Sequence, residues 1–202
     1  MIVKVCGIRD PGNANRLAEL QIDMMGMIYY SKSPRYVGGV ARELFSEPSV
    51  SRVGVFVNAD FKEIANAVER DNLDYVQLHG NESADLCNDL QKITKVIKVF
   101  RVGADFDFSA TREFEFCELF LFETFTQDYG GSGKKFDWAQ LDLYKGTTQF
   151  LLSGGIGPQD AVLIKRINHP WFYGIDLNSR FETEPGLKNI QALKTFIDEL
   201  SS

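Results

Sequence analysis

Two polar turns near the end of the chain have the composition of an anion site. Phe150-Leu151-Leu152 is a short apolar run that stops at Ser153-Gly154-Gly155-Ile156-Gly157, and Pro158 follows at what reads as a helix start. Glycines let a backbone approach a ligand closely and adopt φ > 0. Bare N–H groups in such a turn cradle anions. A second apolar run ends soon after at Asp176-Leu177-Asn178-Ser179. Glycine and asparagine also populate ordinary turns; two such turns in adjacent units make coincidence a weaker explanation. Elsewhere, the ends of apolar runs carry Cys6, Arg35, His79 with Glu82 beyond it, Arg101 and Glu123. A thiol and a carboxyl can serve as base and acid, and a guanidinium can grip a carboxylate. Each has a plainer alternative: Cys6 as a small buried strand-end residue, Arg35 as a solvated loop arginine.

These residues need a frame that turns them toward one point. Apolar runs recur at 2–6, 24–30, 52–57, 74–79, 95–102, 118–123, 149–153 and 172–177. Several are apolar on both faces, as buried parallel strands are. Between them Ala14, Leu17, Ala18 and Ile22, then Ile64, Ala67 and Val68, then Ala161, Leu163, Ile164 and Ile167 fall at helical spacing, and 190–200 repeats the pattern. Eight strand–helix units of about 25 residues predict an α/β fold with a parallel sheet. Closure into a (β/α)8 TIM barrel removes both sheet edges; an open doubly wound sheet is the alternative. The segment 106–116, with four phenylalanines, is the weakest helix. No linker or composition shift divides the chain, so residues 1–202 are expected to form a single domain.

Bulk properties narrow the function. The chain has 202 residues, 44% of them hydrophobic, and a net charge of −6. An acidic balance argues against a general nucleic-acid binder. No apolar run approaches the roughly 20 residues of a membrane span, and residues 1–5 read as a strand, not a signal peptide. Three cysteines at irregular spacing and two histidines indicate neither a disulfide framework nor a metal site. A reducing cytoplasm is the expected compartment. Cys87, in a helix, and Cys117, before a strand, read as packing.

An ordered set of motifs resembles the phosphoribosylanthranilate isomerases of tryptophan biosynthesis. It comprises Lys4-Val5-Cys6-Gly7-Ile8, Lys32-Ser33-Pro34-Arg35-Tyr36-Val37, Val53-Gly54-Val55-Phe56-Val57-Asn58 and Val76-Gln77-Leu78-His79-Gly80-Asn81-Glu82. Tyr129 to Trp138, Leu152 to Ile156 and Gly174 to Ser179 continue it, with Glu182, Pro185-Gly186 and Lys188-Asn189 after them. The resemblance implies an Amadori rearrangement that needs a base and an acid but no metal and no redox cofactor. It implies Cys6 as general base and Arg35 on the anthranilate carboxylate. Gly154, Gly155, Asn178 and Ser179 would hold phosphate, Asp176 would order the pocket or meet the ribose, and His79 would form a pocket wall. Glu123 stands where the family carries an aspartate acid. A retracted backbone, a slower enzyme, or an acid from elsewhere (Asp128 or Asp176) are the options. Phe125 stands where a polar residue such as lysine is common, and Arg180 where a small glycine is often found. Arg180 either adds charge beside the phosphate or points to solvent. Gly130, Gly131 and Gly133 read as a loop that closes over substrate. The partner implied is a phosphorylated small molecule, with no nucleic acid or membrane, acted on by a monomer or homodimer. Another sugar-phosphate barrel enzyme, or a weakly active or inactive phosphate-binding homologue, is the alternative.

Overall fold

The computed structural model describes residues 1–39, 41–44, 49–125 and 136–202. Asp128 and the glycines at 130, 131 and 133 lie outside the described residues. Eight parallel strands close into a barrel in sequence order. They are β1 (Ile2–Cys6), β2 (Met24–Ile28), β3 (Ser51–Phe56), β4 (Tyr75–Leu78), β5 (Lys95–Val102), β6 (Leu119–Thr124), β7 (Phe150–Leu152) and β8 (Phe172–Leu177). The closing seam pairs β1 with β8, Lys4 opposite Asp176. The open-sheet alternative is thereby excluded.

The outer layer departs from eight regular helices. The α-helices are α1 (Pro11–Ala18), α2 (Phe61–Asp71), α3 (Ala84–Leu90), α4 (Ala161–Lys165) and α5 (Ile190–Ser201). Asp10, Asp60, Ser83 and Asn189 cap four of them, each side chain accepting from a backbone N–H three residues on, as N-cap residues do. Short 3₁₀ segments at Ala41–Leu44, Phe108–Phe114 and Trp138–Leu143 stand where three further helices were expected. Pro158 opens a three-residue 3₁₀ turn rather than a full helix, and α4 after it is five residues long.

Aromatic rings cover the barrel wall where helix is scarce. Phe100 on β5 meets Phe114 at 5.6 Å and Phe120 at 5.0 Å between ring centres. Phe122 on β6 meets Phe108 at 5.3 Å, Tyr144 at 5.2 Å and Phe150 at 5.0 Å. Edge-to-face and tilted geometries at these distances are favourable for ring quadrupoles. A 3₁₀ turn presents fewer side chains to the sheet than an α-helix of the same span, and large rings fill the space.

The barrel interior is a separate small core of Met24, Val53, Ile97, Val99, Leu119, Leu121 and Leu151. Strand side chains alternate between faces, so the next inward residue toward each strand's C-terminus follows at i+2. Those residues change character. Ile2 is succeeded by Lys4 and Cys6, Tyr75 by Gln77 and His79, Leu121 by Glu123, and Leu151 by Ser153. The lower interior is thus apolar packing and the upper interior a polar chamber. Phe122→Ala is expected to cost about 3–5 kcal/mol of stability, the range for a large buried ring whose site cannot collapse; urea denaturation at neutral pH measures it.

Candidate active site

A cavity of about 300 Å³ opens at the C-terminal mouth of the barrel, the end at which barrel enzymes carry their chemistry. Cys6, Arg35, His79, Glu123, Gly154, Gly155, Asp176, Asn178 and Ser179 all line it, with Arg180 at its rim. Glu82 and Arg101, which also stood at strand ends, line a separate depression with Lys98 and Phe125 instead.

The base candidate sits at the top of β1. Gly7 and Ile8 N–H groups both donate to the Gly26 carbonyl at 2.9 Å, pinning the strand end. A Cβ on Gly26 would lie 2.7 Å from Cys6 Sγ, so β2 needs glycine there. Below Cys6, Lys4 is fully enclosed, and its Nζ donates to Asp176 Oδ1 at 2.7 Å. Burial opposes the Lys4 charge, but Asp176 and Cys6 outweigh it and hold the ammonium above its usual value. Burial pushes the Cys6 thiol up; Lys4 pulls against it, Asp176 adds to it, and Lys188 again pulls down. Formation of a thiolate thus depends on cations already in place.

Glu123 retains its reach into the cavity. Its Oε2 lies 2.6 Å from His79 Nε2, each side chain being 13% exposed. Burial works against its charge, but His79 outweighs this, with help from Lys4 and Arg101, and the carboxyl is held below the usual range. The side chain ends on this contact with His79. Asp176 is buried beside Lys4, and Ser153 Oγ donates to its Oδ2 at 3.3 Å.

The two polar turns differ in detail. Gly154 and Gly155 have φ of +90° and +71°, a left-handed pair that glycine adopts without strain. A Cβ on Gly154 would lie 2.5 Å from Thr124 Oγ1, so this turn sits tightly on the end of β6. Gly157 differs from them: its φ is −129°, and its N–H donates to Asp160 Oδ2 at 2.7 Å. The expected third glycine of the cradle serves the turn itself. Phe125 is 56% exposed and points out of the barrel, next to Arg101 and Lys98.

Arg35 is held by a residue for which the sequence suggested no role. Its Nε and Nη2 donate to the Glu182 carboxylate at 2.6–3.0 Å. Glu182 lies on the β9–β10 hairpin (Glu182–Glu184 with Leu187–Lys188), and its Oε1 also accepts from Lys188 Nζ at 2.6 Å. Lys188 Nζ donates in turn to Asn178 Oδ1 at 2.7 Å. Burial lowers the Lys188 ammonium against the pull of Glu182. One carboxylate thus positions the guanidinium and steadies the second polar turn. Among the described residues, no group of three or more His, Cys, Asp or Glu side chains is arranged to hold a metal ion, and no helix is long and apolar enough to cross a membrane. All three cysteines are free and buried.

The signals for the overlooked residues are faint but present. Lys4 is a lysine two positions before Cys6 in an apolar strand, hence on the same face. Glu182 and Lys188 flank a Pro-Gly turn, the mark of a hairpin. Burial opposes ionisation of Glu182, while Arg35 and Lys188 outweigh it and lower its proton affinity. Its stabilising contribution is therefore complete above the unfolded value of about 4.3 and is lost as pH falls through the lower folded value. Glu182→Gln is expected to cost about 3–5 kcal/mol at pH 7, since it leaves buried cations uncompensated. It should also flatten the acid side of the stability profile below about pH 4.3; denaturation series from pH 3 to 7 check both.

The family model for N-(5′-phosphoribosyl)anthranilate (PRA) isomerase matches residues 3–199. An N-(5′-phosphoribosyl)anthranilate isomerase of Parabacteroides distasonis is 48% identical over 99% of this chain and 93% of its own length. One of Phocaeicola vulgatus is 41% identical over 99% and 98%. Among solved structures, a phosphoribosyl anthranilate isomerase in complex with reduced 1-(o-carboxyphenylamino)-1-deoxyribulose 5-phosphate superimposes with a TM-score of 0.87 at 30% identity, covering 100% of this chain and 99% of that one. The Thermotoga maritima enzyme gives 0.87 at 33%, over 100% and 99%. The chain belongs to the N-(5′-phosphoribosyl)anthranilate isomerase family.

Proposed function

We propose that the protein converts N-(5′-phosphoribosyl)anthranilate to 1-(2-carboxyphenylamino)-1-deoxyribulose 5-phosphate in tryptophan biosynthesis, with Cys6 as general base and Glu123 as general acid. The observation that carries this reading is that Cys6 and Glu123 line one cavity together with Arg35 and the two polar turns. Residues 1–202 act as one catalytic unit, as a monomer or homodimer, on a phosphorylated small molecule rather than on nucleic acid or a membrane. Its three free thiols fit a reducing cytoplasm.

The steps follow from the groups present. Gly154, Gly155, Asn178 and Ser179 take the phosphate through N–H and O–H donors. Glu182 occupies the Nε–Nη2 edge of Arg35, so the Nη1–Nη2 edge takes the anthranilate carboxylate. With both ends fixed, Glu123 delivers a proton to the furanose ring oxygen as the C1–O bond breaks. The amine lone pair forms the C1=N bond of a protonated imine. The Cys6 thiolate then removes the C2 proton, and the electrons move through C1–C2 to nitrogen, giving the enolamine. The hydroxyl of the enolamine then loses its proton to solvent and C1 takes one from the Cys6 thiol, which gives the ketone and restores the thiolate, while Glu123 regains a proton from solvent. Lys4 stabilises the thiolate electrostatically, and Asp176 holds Lys4. The proton transfers balance without a redox cofactor or metal.

A fluorescence-monitored turnover assay on the purified protein tests the proposal. Cys6→Ala is expected to lower kcat by at least about 100-fold, the scale of a lost general base; normal turnover would refute the base assignment. Glu123→Asp withdraws the carboxyl from His79, and a drop of about 100-fold is expected, as for misplacement of roughly an ångström. A rise in rate would instead mean that the longer side chain is misplaced in the native enzyme. Product binding by calorimetry with no turnover would leave an inactive phosphate-binding homologue.

A further inference from the structure

The acid role asks Glu123 to give up a proton, yet its neighbours favour the ionised carboxylate. Something must reload it. On one side of the His79 ring, Nε2 lies 2.6 Å from Glu123 Oε2. On the other, Nδ1 lies 3.4 Å from the Gln77 amide nitrogen. Gln77 is 1% exposed, and its Oε1 is buried without a hydrogen-bond partner among the described residues. An orphaned acceptor of this kind is costly, because its desolvation is not repaid. The two ends of an amide exchange places by rotation about its last torsion. In one orientation the Gln77 N–H donates to a bare Nδ1. In the other, Oε1 accepts from an Nδ1–H and the amide N–H groups take the buried position that Oε1 now holds. Gln77 can therefore accompany the ring through either protonation state with no movement of the imidazole.

We propose that Gln77 and His79 form a relay that loads a proton onto Glu123, which makes both of them positioning residues for the acid. The inference rests on the assignment of Glu123 as that acid. With protons on both ring nitrogens, His79 faces an ionised Glu123. The Nε2 proton moves to Oε2, leaving a neutral carboxyl and a neutral ring whose remaining proton, on Nδ1, is accepted by Gln77 Oε1. Glu123 passes its proton to the substrate ring oxygen, and Nε2 takes a replacement from solvent through the cavity. One proton enters and one leaves, and no electrons change hands. The other charged or titratable groups around the pair are Lys4 and Cys6 on β1, Tyr30 and Arg35 beyond β2, Arg101 on β5, and Asp176 and Arg180 at the end of β8. They are common to every variant below, so a change in pH profile reports on the relay.

The test is kcat/KM from pH 5 to 9. His79→Gln keeps an N–H donor for Glu123 but holds no acid proton. Activity at pH 7.5 is expected to fall about 100-fold, with the alkaline limb moving down by roughly one pH unit or more. Gln77→Glu sets a carboxylate against Nδ1 and is expected to move that limb up by a similar amount. A His79→Gln profile parallel to the wild type, slower by one factor at every pH, overturns the relay, as does an unmoved limb in Gln77→Glu. Nitrogen-15 shifts of the intact protein, with His79 and His169 as its two histidines, need no variant. Across the alkaline limb Nδ1 of His79 is expected to lose its proton while Nε2 keeps its own; an Nδ1 bare from pH 5 to 9 overturns the relay. Glu123→Gln separates the two claims. Retained turnover there removes the acid assignment, whereas unmoved limbs with an inactive Glu123→Gln remove the relay alone.

Discussion

A lysine ammonium enclosed in a barrel interior has to meet a counter-ion, because an unpaired buried charge costs several kcal/mol. Lys4, with no exposed side-chain surface, meets Asp176 at 2.7 Å. The two residues are register partners on the first and last strands, so this ion pair fastens the seam where the barrel closes. It also sets the chemistry above it. Cys6 is the next inward residue on β1 and feels the Lys4 charge directly. Asp176 meanwhile takes the Ser153 hydroxyl and steadies the start of the glycine turn. Closure of the fold, the state of the thiol and the placement of the glycine turn thus share one interaction.

The same logic runs round the barrel. Alternation along each strand sends every second side chain inward, and these change from apolar to polar toward the C-terminal end. Apolar packing below supplies rigidity, and the polar layer above is positioned by it. A second carboxylate, Glu182, does for the rim what Asp176 does for the interior. It joins Arg35, Lys188 and, through Lys188, Asn178. Arg35 and Asn178 are therefore each held by an internal partner, which limits the freedom such groups lose when they bind a ligand.

Much of this was legible in the sequence, and the limits have physical causes. The eight strands were readable because a strand buried on both faces carries a run of Val, Ile and Phe, and β1, β5 and β8 begin and end where the runs do. Helices were less so. The segment 106–116 has rings where a helix was expected, and propensity gives no account of rings packing on a neighbouring strand. Of the site, the residues with chemistry of their own, such as Cys6, Arg35 and Glu123, stood out at strand ends. Their partners did not. Lys4 and Asp176 lie 172 positions apart, and nothing local marks Glu182 as the holder of Arg35. The tie of the Gly157 N–H to the Asp160 carboxylate is likewise a side-chain contact that composition does not reveal.

A crystal structure with reduced 1-(o-carboxyphenylamino)-1-deoxyribulose 5-phosphate bound is the most direct trial of the central claim, that thiol and carboxyl address one sugar from two sides. The account predicts C2 of the sugar about 3–3.5 Å from Cys6 Sγ, and the former ring oxygen within about 2.6–3.2 Å of the Glu123 carboxyl. The phosphate should rest on the amides of Gly154 and Gly155. A ligand whose C2 faces away from the sulfur, or whose phosphate seats elsewhere, contradicts it.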